Sequence, residues 1–161
     1  MKVTYPIRAV NGDEYLVQIE SFNRSMLPND INELLGSIEI LDISLERVSG
    51  HNTTSPSILF DISNFIAGVL NDNPEIILFF YCDDLHNVER RDKSITPQKY
   101  RSQLFSRMFD HYTCSHDMND VINTPLEFKT DRDIYIHFIS RREHLKYVDA
   151  IKYKILGFAD K

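Results

Sequence analysis

The segment Ile76-Ile77-Leu78-Phe79-Phe80-Tyr81-Cys82 decides the fold. It is apolar at every position, so the strand it forms needs cover on both faces, and a strand covered on both faces belongs in the interior of a sheet. It is also the longest wholly apolar run in the chain, far short of the roughly 20 residues that a membrane-spanning helix takes. A helical pattern flanks it on each side. Upstream, Ser55-Pro56 supplies a cap and a proline at the first helical position, and Ile58, Leu59, Ile62, Phe65, Ile66, Val69 and Leu70 recur at three- and four-residue steps until Asn71-Asp72-Asn73-Pro74 stops them. Downstream, Thr96-Pro97 repeats the signal and opens a helix with Tyr100, Leu104, Phe105, Met108, Phe109 and Tyr112 on one face and Lys99, Gln103 and Arg107 on the other. The Phe and Tyr residues of that helix fall on its core stripe and read as packing, not as platforms for stacking bases.

Working outward, residues 3–10 and 14–20 alternate with period two, and Asn11-Gly12 between them accepts the positive φ angles of a type I′ turn, so they form a hairpin. Pro6 lacks an amide donor and places its strand at a sheet edge. A short helix closes at Gly36. In residues 38–48 the apolar phase moves from Ile38 and Ile40 to Leu41, Ile43 and Leu45, which predicts a β-bulge near Leu41. Residues 113–124 read as polar and irregular. Leu126-Glu127-Phe128 and residues 133–140 read as two strands joined at Thr130-Asp131-Arg132. Ser140-Arg141-Arg142-Glu143 has capping-box spacing and predicts a last helix with Leu145, Val148, Ile151, Ile155 and Leu156 buried. The expected fold is one α+β domain over residues 1–161. It has a mixed, mostly antiparallel sheet of five to six strands and three main amphipathic helices, in the order ββ(short α)βαβαββα, without internal repeats.

Composition narrows the function classes. With 161 residues, 42% of them hydrophobic and 26% charged, the chain has the make-up of one globular domain, burying roughly 70% of its unfolded surface. Its net charge of −6, from 18 Lys+Arg against 24 Asp+Glu, opposes non-specific attraction to nucleic acid or an anionic membrane. The first eight residues contain no apolar core of a signal peptide, and two cysteines are no disulfide framework. The expectation is a cytoplasmic protein with reduced thiols. The five glycines make no phosphate-cradling loop.

The richest candidate stretch runs from Tyr81 to Asp92, where Asp83 and Asp84 follow the central strand and Arg90 and Arg91 lie downstream. Ligand sites favour that strand end. Two carboxylates there suit Mg²⁺ and the arginines suit a phosphate, the parts of metal-assisted phosphodiester cleavage. The competing reading is a strand end, a turn and solvated arginines. Cys114-Ser115-His116-Asp117, with His111 upstream, holds zinc-binding residue types at no zinc spacing and reads as a polar loop. Cys82 or Cys114 could be paired with His86, His116 or His137, but no local motif supports a thiolate–imidazole nucleophile, and His137 reads as an ordinary sheet residue. The basic residues form two groups, Arg90, Arg91, Lys93, Lys99, Arg101 and Arg107, then Lys129, Arg132, Arg141, Arg142 and Lys146, each interspersed with acids.

Tyr81-Cys82-Asp83, then Arg101 with Leu104-Phe105-Ser106-Arg107-Met108-Phe109, then Tyr135-Ile136-His137-Phe138 before the last helix together resemble an uncharacterised family of small bacterial α+β proteins. The resemblance covers about residues 74–155, with Met108 where that pattern carries a larger aromatic. The family has no assigned activity, so the resemblance implies an order of elements and no mechanism. The reading placed first is a non-enzymatic module that binds a protein partner through a sheet edge or a helix face, without a cofactor or a membrane. The alternatives are a metal-dependent nuclease or phosphohydrolase built on Asp83, Asp84 and Arg90 or Arg91, and a nucleic-acid binder using a local basic patch.

Overall fold

The computed structural model describes residues 2–10, 12–50, 56–82, 94–129 and 133–159. The chain runs β1 (Lys2–Arg8), β2 (Glu14–Ser21), a 3₁₀ turn (Arg24–Met26), α1 (Asn29–Leu35), β3 (Glu39–Ser49), α2 (Pro56–Asp72) and β4 (Ile76–Cys82). It continues through α3 (Pro97–His116), β5 (Val121–Phe128), β6 (Ile134–Arg141), a second 3₁₀ turn (Arg142–His144) and α4 (Leu145–Ala159). This is the α+β order that the sequence predicts. Among the described residues six strands form one sheet in the order β1-β2-β3-β4-β6-β5. β3 and β4 pair in parallel across the α2 crossover, and all the other neighbours are antiparallel.

Both faces of the sheet are packed. On one, Ile58, Ile62, Ile66 and Leu70 of α2 and Phe105 of α3 meet Val17, Ile19, Leu41, Ile43, Leu78, Phe80 and Ile139. On the other, Ile31 and Leu35 of α1 and Val148 and Ile151 of α4 meet Ile40, Ile77, Leu126, Ile136 and Phe138. β4 contributes alternately to the two layers, which is why its sequence is apolar throughout. The two edge strands, β1 and β5, carry Pro6 and Pro125, each where a missing amide is tolerated.

Four local expectations are corrected. The β1–β2 connection is wider than a two-residue type I′ turn: Ala9 N donates to Asp13 O at 2.8 Å and Gly12 N to Ala9 O at 3.0 Å, with Gly12 at φ 93°. That is a three-residue loop in which glycine takes the positive φ. No bulge falls at Leu41, because the register is continuous from Ser21↔Leu41 to Tyr15↔Arg47 and shifts between Glu14 and Tyr15 instead. The phase change arises because the start of β3 is buried on both sides, with Ile40 and the preceding Ile38 in one core layer and Leu41 and Ile43 in the other. Residues 113–116 are the last turn of α3, and β5 begins at Val121. Finally, Ser140 is a fully buried residue of β6 whose Oγ has no hydrogen-bond partner, so no capping box forms at the last helix.

Candidate functional site

Asp83, Asp84, His86, Arg90 and Arg91 lie outside the described residues, as does the turn at 130–132. Among the described residues no group of three His, Cys, Asp or Glu side chains is placed to hold a metal. Cys114 is an exposed free thiol on α3 and Cys82 a buried one. Burial pushes the Cys82 thiol up to about 12, with Arg101 and Ser102 acting against the shift, so it is not the thiolate that a cysteine nucleophile requires. Of the second basic group, Lys129 ion-pairs with Glu127 at 2.7 Å, Arg141 Nη2 donates to Leu70 O at 2.7 Å, Arg142 Nη2 donates to Asn119 O at 3.0 Å, and Lys146 lies over the Tyr147 ring. These are intramolecular ties.

Two features of α3 remain, one on each of its sides. Where α3 runs beside α2, the helices leave a small apolar cleft open to solvent, walled by Ile66, Ala67, Leu70, Phe105, Met108 and Met118. Two of its polar wall groups are already engaged: the Tyr112 hydroxyl donates to Asn64 Oδ1 at 2.9 Å and the Thr113 hydroxyl to Phe109 O at 3.0 Å. At the rim, the Tyr112 and His116 rings stack at 3.9 Å, and Phe60 of α2, 41% exposed, tilts against both at 5.8 and 5.6 Å. The i,i+4 spacing of Tyr112 and His116 on a helix permits that stack. The sequence reading assigned Tyr112 wholly to the core and His116 to a loop, and so missed the cluster.

Where α3 faces the sheet, a polar chain crosses the interface. His137 of β6 is 0% exposed, with its ring against Phe105 at 4.8 Å and Phe80 at 6.3 Å. Its Nε2 lies 2.9 Å from Ser102 Oγ, and its Nδ1 lies 2.9 Å from Asn123 Oδ1. Asn123 Nδ2 in turn donates to Ser106 Oγ at 3.4 Å, which turns the amide oxygen toward the imidazole. An amide oxygen can only accept, so Nδ1 carries the proton, and Nε2 presents its lone pair to the Ser102 hydroxyl. Burial pulls the imidazole down to about 4, so it is neutral at physiological pH.

Compared with protein families, curated proteins and solved structures, this chain matches none.

Proposed function

We propose that this chain is a protein-interaction module whose α2–α3 cleft receives an apolar side chain projected by a partner protein. The observation that carries this reading is the apolar cleft itself, bordered by the half-exposed Phe60 and the Tyr112–His116 stack. Partner sites enrich aromatic and methionine side chains around a pocket that takes an anchor residue, and the cleft offers Phe109 and Tyr112 with the adaptable Met108 and Met118, Phe60 lying against Tyr112 outside it. A small-molecule site would add convergent polar groups to orient its ligand. Here the hydroxyls of Tyr112 and Thr113 already have partners in the chain. Of the two routes open to an interaction module, the helix face is favoured over the sheet edge. Each edge strand carries a proline, a device that blunts an edge against further pairing.

The reading is tested with a photo-crosslinking amino acid placed at Phe60 in the producing cell, and at Tyr153 as a control, since Tyr153 is 78% exposed on α4. A discrete protein adduct from position 60 that is absent from position 153, and lost on adding Ala67→Glu to the cleft wall, is the expected result. The same adducts from both positions, or none from position 60, contradicts it.

A further inference from the structure

The polar chain under α3 has the directionality of a nucleophile–base–orienter set. Ser102 sits in the second turn of α3 and is half-buried, whereas its imidazole partner on β6 is sealed from solvent. Ser102 is therefore the member of the pair that is not fully buried. The base behind it is held neutral, in one tautomer, by Asn123 and by the rings of Phe80 and Phe105. Nucleophilic catalysis by a hydroxyl needs a base within hydrogen-bond reach of it, and that base oriented by a third group. Both links are present at 2.9 Å.

We propose that Ser102 is an activated nucleophile, with His137 as its general base and Asn123 as a positioning residue, and that the site hydrolyses small carboxylic esters. In the first step Ser102 Oγ bonds to the ester carbonyl carbon as its proton passes to His137 Nε2. The tetrahedral adduct then collapses, the carbon–alkoxy bond breaks, and the alkoxide leaves with that proton as an alcohol. Water, giving a proton to the same nitrogen, attacks the acyl carbon. Ser102 Oγ departs, takes the proton back, and the carboxylic acid is released. No reactant besides the ester and water is consumed.

The test uses the full-length folded chain and an alkyl fluorophosphonate, which reacts with base-activated serines by forming an Oγ–P bond and releasing fluoride. Peptide mapping is expected to place the phosphonyl group on Ser102, while the exposed Ser25, Ser44 and Ser115 stay unmodified. Labelling should vanish in urea, where the base is no longer held beside the hydroxyl. His137→Gln should slow it by about 100-fold or more, the usual weight of a general base. Asn123→Ala should slow it less and move its pH profile, which a purely structural asparagine would not do. The serines within the native wild-type chain are compared with one another, so the result stands even where a variant fails to fold. Ser102 left unlabelled in the native chain, or labelled equally in urea, overturns the proposal.

Discussion

Two ionisable residues, the half-buried Asp42 and the buried His137, oppose each other as pH changes. Asp42 lies directly across from Glu20 on β2 and beside Phe79 on β4. Burial, and then the repulsion of Glu20, raises its carboxyl from an ordinary value of 3.8 to about 6. A folded-state value above the unfolded one means that Asp42 favours the fold fully below about pH 4, and that this contribution is lost as pH climbs through 6. Asp42→Asn should therefore stabilise the chain at pH 7.5, by about 1–2 kcal/mol or several degrees in Tm, and have almost no effect at pH 3.5. Thermal unfolding at the two pH values checks it. His137 has the other sign. Its folded value, about 4, lies below its ordinary 6.5, so its contribution is present above pH 6.5 and is lost as pH falls toward 4. His137→Ala should cost about 3–5 kcal/mol at neutral pH, since it opens a cavity and strands the Ser102 hydroxyl and the Asn123 amide. Urea unfolding followed against pH should also show the wild-type chain losing the His137 contribution between pH 6.5 and 4, a loss absent from the variant. Neither residue was legible as part of a pair. The Glu20↔Asp42 contact exists only once the register of β2 on β3 is known. His137 was placed in its strand correctly, but its partner Asn123 fell in a stretch read as irregular, because Asn123, Thr124 and Pro125 carry weak strand signals.

At the scale of elements, the caps that the sequence announced are of uneven kind. Thr96 caps α3 as its Thr-Pro signal predicts, accepting from Lys99 N at 3.3 Å. Thr96→Ala should cost about 1 kcal/mol in urea unfolding, the ordinary value of such a cap. The C-terminal end of α2 is held by a residue far away in sequence. Arg141 reaches from the end of β6 to the Leu70 carbonyl at 2.7 Å, and its charge complements the negative end of the helix dipole. Arg141→Met should cost about 1–3 kcal/mol, and should free the last turn of α2 in amide exchange before the rest of the helix. Helix stripes and strand alternation are local, so α2, α3 and β4 could be read from spacing alone. The bulge predicted at Leu41 was a misreading of the same kind of pattern, since a shift of apolar phase also arises when neighbours cover both faces of a strand.

At the scale of the molecule, β4 joins a parallel neighbour to an antiparallel one and feeds both core layers, so the sheet and its helices should unfold as one unit. The two thiols report this directly. Cys114 is exposed and should react with a disulfide reagent in the native state, while Cys82, 1% exposed, should react only at the midpoint at which circular dichroism is lost. The α2–α3 cleft departs from this close packing, and as a gap between two helices it depends on how they sit together, which helix stripes alone do not specify. Ala67→Leu places added carbon in that space, and its effect on stability and on crosslinking from position 60 can be read in the same protein sample. If the cleft is a vacant receiving site, the variant should gain about 1 kcal/mol through the filled space and lose the position-60 adduct. A loss of stability of about 1–3 kcal/mol, the mark of an overpacked interior, or an adduct that survives the filling, would contradict the account.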